Sequence, residues 1–320
     1  QVVWLPNGYQ PAMQFAGRVV MKRQEGELDA EAAQAREHGA GGLILVQQYL
    51  TTRQRELGSA DVLTETLPVA LISQDTWTQV LKLAGLGVYE ANNAPPALLM
   101  DLEVDLVLPL DLEHQAIARD VVGVLPGSQP DAEPLVIAAH YDGVGSLPDG
   151  TLYPGANKNA SGVAVLLELA RIWQRSGWQP ERPIYFVAWG AEEADLASSR
   201  AYVEAPLVLI ENTLAVFNLD GVGEARSYYL NMDPVMPGSD DVAFDFTLAG
   251  ELLGRRVARG KYDGRNTHTV LQEQGIPVVQ LFWPDGRHVH TPDDTPETLD
   301  EQKLATTAEV LALVTMMMAR

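Results

Sequence analysis

From about residue 97 onward, short apolar runs alternate with stretches of helical period. This pattern admits few architectures other than a mostly parallel sheet covered by helices on both faces. The runs predict strands near Leu99 to Val107, Val121 to Leu125, Leu135 to Ala139, Pro183 to Trp189, Leu214 to Leu219 and Pro277 to Phe282. Between them, Ser161 to Gln174 places Val163, Leu166, Leu167, Ala170 and Trp173 on one helical face. Further helices are predicted from near Ala194, around Val242 to Leu253, and from Asp300 to Ala319.

The segment before this core reads as a smaller unit. Gly17 to Met21, Gly42 to Val46 and Pro68 to Ile72 are strand-like, while Asp29 to His38 and a stretch from Ser73 or Asp75 to Leu83 are helical, with Gly39 and Gly85 as stops. The loop Ala91 to Pro96 is the best internal boundary, which divides the chain into residues 1–95 and 96–320. Because the chain opens at Gln1 without a basic and apolar leader, a segment upstream of it is expected.

Composition narrows the chemistry. There is no cysteine, so thiol catalysis and thiolate metal sites are out, and any metal must use His, Asp or Glu. A net charge of -21 repels phosphate backbones and anionic lipid surfaces, which argues against nucleic-acid binding. No apolar run reaches the roughly 18 residues that a membrane helix requires, so no membrane insertion is expected.

In open α/β sheets ligands bind beyond the carboxyl ends of the strands, and here those ends are polar. His140-Tyr141-Asp142 follows one strand, Glu192-Glu193 another and Asp220 a third, while the last leads into His288-Val289-His290-Thr291-Pro292-Asp293-Asp294. Singly, each is an ordinary turn or cap. Together they bring His, Asp and Glu to one sheet edge, a donor set suited to a divalent ion.

These segments, together with Gly155-Ala156-Asn157-Lys158-Asn159-Ala160-Ser161-Gly162-Val163, resemble the cocatalytic dizinc aminopeptidases of the secreted bacterial leucyl aminopeptidase and aminopeptidase Y type. The resemblance covers about residues 97 to 320. It implies a three-layer α/β/α zinc-exopeptidase fold, with residues 1–95 as a small α+β protease-associated domain, and a secreted or cell-envelope location. It makes His140 and Asp220 ligands of one zinc, Glu193 and His290 ligands of the other, and Glu192 the general base that takes a proton from the shared water. Asp142 is the carboxylate that orients His140, and Asp293 or Asp294 braces the His290 loop.

Two departures qualify this reading. Where the family has an aspartate bridging both metals, this chain has Lys158. A protonated amine has no lone pair and repels dications. Lys158 is therefore expected to lie in the old metal site among Asp142, Glu192, Glu193 and Asp220, replacing a cation; the other placement swings it to solvent and leaves a weak single-metal site. Of the two zincs the family implies, zero or one is expected here. The second departure is Val289, at the position of a tyrosine that steadies the oxyanion; losing such a donor costs about two to three orders of magnitude in rate. The segment Asn266-Thr267-His268 keeps only the His of a family Ser-Asp-His, and His288 reads as an exposed loop residue.

The expected function is thus a zinc-aminopeptidase-family protein with a disrupted dinuclear centre and impaired or absent hydrolysis. Its alternatives are an active single-metal exopeptidase and a non-catalytic homologue that holds a peptide or protein ligand in the cleft. Single-zinc glutaminyl cyclase chemistry on the same fold also calls for a carboxylate at position 158.

Overall fold

The computed structural model describes residues 1–6, 14–25, 28–47, 67–94, 98–100, 102–104, 117–146, 150–194, 196–206, 212–234, 239–262, 266–284 and 286–320. The chain divides into two compact units, Gln1–Gln115 and Ala116–Arg320.

The first unit is built on a five-stranded sheet. Its strands are β1 (Val2–Leu5), β2 (Val19–Arg23), β3 (Gly42–Gln47), β4 (Val69–Ser73) and β5 (Leu98–Met100), with helices α1 (Leu28–Glu37), α2 (Gln74–Leu83) and α3 (Val88–Asn92). The order is β4-β3-β2-β1-β5, all parallel except β5, which runs antiparallel to β1. Alternate residues of β1 face opposite clusters, Val2 and Trp4 on one side, Val3 and Leu5 on the other. Trp4 stacks at 5.1 Å on Trp77 of α2. The strand near Leu99 is observed at Leu98–Met100, in this first sheet. The remainder of the expected run to Val107 is not strand at 102–104, and residues 105–107 lie outside the described residues.

The second unit contains β6 (Val121–Leu125), β7 (Leu135–His140), the short ribbon β8 (Gly145–Ser146) and β9 (Leu152–Tyr153), α4 (Ser161–Ser176), β10 (Ile184–Trp189), α5 (Ala197–Glu204), β11 (Ala215–Leu219), β12 (Leu230–Pro234), α6 (Ser239–Leu253), β13 (Val257–Arg259), α7 (Thr267–Glu273), β14 (Val278–Phe282) and α8 (Glu301–Met318). Seven strands form one sheet in the order β13-β12-β14-β11-β7-β10-β6, in which only the β10–β6 and β12–β14 pairs are antiparallel. The expected mostly parallel α/β architecture is observed.

Both faces are covered, which is why the central strands read as continuous apolar runs rather than alternating ones. Leu135, Ile137 and Ala139 of β7 pack with Leu166 and Trp173 of α4, Phe246 of α6 and Leu311 of α8. Val136 and Ala138 face the other way, toward Leu271 of α7, Trp189 and Val216, with Tyr202 of α5 packed against them. The parallel alignment of β10, β7 and β11 brings His140, the residues after Trp189, and Asp220 to a common edge. Among the described residues no helix is long and apolar enough to cross a membrane.

Candidate functional site

His140 is the last residue of β7 and Asp220 follows β11 directly; both are essentially buried. The His140 Nδ1 atom lies 3.3 Å from Asp142 Oδ1, and its Nε2 atom 3.6 Å from Asp220 Oδ1. Burial works against a charge on this ring, but the carboxylates of Asp142 and Asp220 outweigh it and push the imidazole up to about 10. Asp142 also accepts a hydrogen bond from the Glu193 backbone N–H at 2.9 Å. It therefore links the His140 strand end to the loop after β10.

Lys158 sits in a tight non-helical turn, Ala156–Ala160, immediately before α4. Gly155 adopts a left-handed φ of 67°, and a Cβ there would meet the Lys158 carbonyl oxygen at 2.7 Å, so the turn requires glycine. Asp294 holds the turn from below, accepting from the backbone N–H of Asn157 at 2.6 Å and of Lys158 at 3.1 Å. Asn157, Asn159 and Ser161 then clamp the strand-end connector: Asn157 Oδ1 accepts from Gly223 and Glu224, Asn159 Oδ1 from Gly221, and Ser161 Oγ from Val222.

From this turn the Lys158 side chain points inward. Its ammonium donates to Asp220 Oδ2 and lies 3.2 Å from the Tyr262 hydroxyl. Burial opposes its charge, yet Asp220 first, then Tyr262 and Glu193, hold it above the ordinary lysine range. The converse holds for Asp220. Burial would raise its pKa, but Lys158 and then His140 keep it well below the usual carboxylate range. Asp220 Oδ2 also accepts from Tyr262 Oη at 2.7 Å and from Asn266 Nδ2 at 2.9 Å.

Glu193 pairs with His290, Nε2 to Oε1 at 3.1 Å. Burial resists ionisation of Glu193, but the hydrogen bond and charge of His290 lower its pKa. Glu192 is 6% exposed and accepts from the Thr267 backbone N–H at 2.8 Å and from the Thr267 hydroxyl; burial raises its pKa.

Six of the residues expected from sequence, His140, Asp142, Lys158, Glu193, Asp220 and His290, thus form one connected network. Asp293 is exposed, whereas the buried carboxylate beside it is Asp294, which braces the Lys158 turn. His288 is half-buried and its Nδ1 lies 2.8 Å from Glu224 Oε1, so it is not a free loop residue. Among the described residues, no group of three or more His, Asp or Glu side chains is arranged to hold a metal ion.

Tyr262 is a site residue that the sequence alone does not single out, and Asn266 and Thr267, expected only as a departure from the family's Ser-Asp-His, also enter the site. Tyr262 lies three residues past β13, which runs opposite to β7, β11 and β14, so the strand-end rule for the parallel strands gives no signal for it. It lines a cleft of about 300 Å³ with Lys158, Phe282, Trp283, Pro284 and Val289. Val289 has no donor, and Tyr262 supplies a hydroxyl to this cleft; burial and Asp220 raise the pKa of that phenol, so it keeps its proton.

The profile of Peptidase family M28 matches residues 120–315. Aminopeptidase YwaD of Bacillus subtilis is 30% identical over 203 residues, covering 58% of this chain and 42% of that protein. Leupeptin-inactivating enzyme 1 of Streptomyces exfoliatus is 31% identical over 171 residues, covering 52% of this chain and 36% of that protein. The chain therefore spans less than half the length of these curated relatives. Among solved structures, BSAP, a zinc aminopeptidase from Bacillus subtilis, superposes with a TM-score of 0.71 at 20% identity, over 100% of this chain and 74% of that one. That likeness speaks for the fold.

Proposed function

The chain belongs to peptidase family M28, and on that premise we propose that it is a member whose dinuclear zinc centre has been replaced by an internal ion pair, leaving a cleft that binds peptide or protein ends without hydrolysing them. The observation that carries this reading is the inward Lys158 ammonium on Asp220.

The donor set does not suit two zincs. A protonated amine offers no lone pair. Each pair of like unit charges at 4 Å costs about 4 kcal/mol at an effective dielectric of about 20, and a dication doubles that. The ammonium also removes the reason for a metal, since it neutralises the carboxylate that burial would otherwise penalise. Glu192, the family's general base, is engaged by Thr267, and Val289 leaves its position without an oxyanion donor. The apolar wall of Phe282, Trp283 and Pro284 remains to receive a ligand. In the same reading, residues 1–95 form a protease-associated-like domain, residues 96–320 the peptidase-like one, and the protein works outside the cytoplasm.

A second reading, an active single-metal exopeptidase, is favoured by two buried atoms. His140 Nε2 and Asp220 Oδ1 have no hydrogen-bond partner among the described residues, and both are atoms that a single ion would take as ligands.

Calorimetric titration of zinc into chelator-stripped protein, beside the Lys158→Asp variant, separates the two. We expect no zinc binding by the native chain and acquired binding by the variant. Tight binding of one zinc by the native chain would establish the single-metal reading instead. A Lys158→Asp variant that binds no zinc would count against an otherwise intact ligand set.

A further inference from the structure

A second groove, of about 630 Å³, opens beside the candidate cleft, and Trp283 lines both. Against a net charge of -21 for the whole chain, this groove gathers Arg226, Arg255, Arg256 and Lys303. Two of the four are committed. Arg255 pairs with Glu309 at 2.7 Å, and Lys303 donates to the Ser227 carbonyl at 2.8 Å while lying 4.1 Å above the Trp283 ring. Arg226 and Arg256 are exposed and make no ion pair among the described residues; Arg256 lies over the ring of Tyr229 at 5.8 Å. The carboxylate in the groove wall, Asp300, is occupied in capping α8, where it accepts from the Gln302 N–H at 2.9 Å.

The groove is tied rigidly to the cleft. One connector runs from Asp220 in the cleft to Arg226 in the groove, and it is held at Gly221, Val222, Gly223 and Glu224 by the Asn157, Asn159 and Ser161 side chains. The Gly223 carbonyl in turn accepts from Asp300 N–H at 2.8 Å, and the Gly221 carbonyl from Trp283 N–H at 3.1 Å. Trp283 thus borders both the cleft and a groove that holds two exposed guanidinium groups with no ion pair among the described residues.

We propose that the groove is a specificity subsite for acidic peptide: it binds carboxylate side chains, or a terminal carboxylate, of a peptide whose other end lies in the cleft. Guanidinium groups recognise carboxylates through paired, charge-assisted hydrogen bonds, and two uncommitted ones beside an aromatic ring form an anion receptor. In an otherwise acidic protein this local reversal of sign also selects against basic peptides. The inference rests on the peptide-binding reading of the cleft.

Its test compares three synthetic peptides by calorimetry on the full chain: Leu-Ala-Ser-Ser-Ser, Leu-Ala-Glu-Glu-Glu and Leu-Ala-Lys-Lys-Lys. The same titrations are repeated on the Arg226→Glu/Arg256→Glu variant, both positions being exposed and outside the cleft. We expect the glutamate peptide to bind about tenfold tighter than the serine one, the lysine peptide weakest, and the preference to vanish in the variant. Serine-peptide binding that gains nothing from glutamates overturns the groove and leaves the cleft reading standing. Glutamate-dependent binding that needs both arginines, with no binding of the serine peptide, supports the groove and overturns the cleft. Displacement of the glutamate peptide by equimolar inorganic phosphate would make this a phosphate pocket and overturn the peptide assignment.

Discussion

The Lys158 ammonium donates to Asp220 Oδ2 from a side chain that is 10% exposed onto one that is fully buried. The two residues are 62 positions apart in sequence, and each carries the charge that makes the other tolerable in the interior. Removing one partner leaves an uncompensated buried charge, whereas removing both removes the problem.

Lys158→Met alone is therefore expected to destabilise the protein by about 3 to 5 kcal/mol, and Asp220→Asn alone by a similar amount. The double variant Lys158→Met/Asp220→Asn is expected to recover much of that loss. Guanidinium unfolding of the four proteins gives the coupling energy directly. Strictly additive losses would show that the pair is not the central contact described here.

Asp293 and Asp294 are adjacent in sequence but differ in consequence. Asp294 takes two backbone N–H groups of the Lys158 turn, so Asp294→Ala leaves two donors without partners and is expected to cost about 2 to 4 kcal/mol. Asp293 is exposed, and Asp293→Ala should stay within about 0.5 kcal/mol. Paired thermal melts check both, and equal losses would remove Asp294 from its bracing role.

His268 supplies an acid-side test. It is buried on α7, its backbone N–H donates to Asn266 Oδ1 at 2.9 Å, and its ring packs edge-on against Tyr262 at 5.5 Å. Burial pushes its pKa down from 6.5 to about 4. Below pH 6.5 the unfolded chain thus takes up a proton that the native protein refuses. The stability from this residue is full above that pH and is lost as pH falls toward 4, by up to about 3 kcal/mol. Denaturant titrations between pH 7 and 4 should show this loss, and His268→Phe should flatten it. An unchanged slope in the variant would assign the acid sensitivity elsewhere.

Much of the scaffold is readable locally. The runs at Leu135–His140, Ile184–Trp189 and Ala215–Leu219 are apolar because both faces of the sheet are buried there, so these strands announce themselves without an alternating pattern, while the edge strand β6 is apolar although Val121 and Val124 are exposed. The polar residues that follow them are readable for the same reason, since any chain leaving such a sheet delivers its next side chains to the edge. β1, β12 and β13 escape this reading. Two of them are only three or four residues long, and β12, with Asn231, Asp233 and Pro234 in its run, lacks the apolar continuity of its neighbours.

The sequence by itself determined which chemical groups reach the sheet edge: His140, Glu192, Glu193, Asp220, His290 and a lysine at position 158. It left two directions open for Lys158, because a flexible four-carbon stem reaches solvent or interior equally well from a turn. The tertiary structure decides between them. Asp220 arrives beside the turn only because β11 and β7 are neighbours in parallel register, while Tyr262 and Asn266 close on the same carboxylate from residues beyond β13 and at the start of α7. The field that draws the ammonium inward is the sum of groups far apart in the chain, and it exists only once the sheet is assembled.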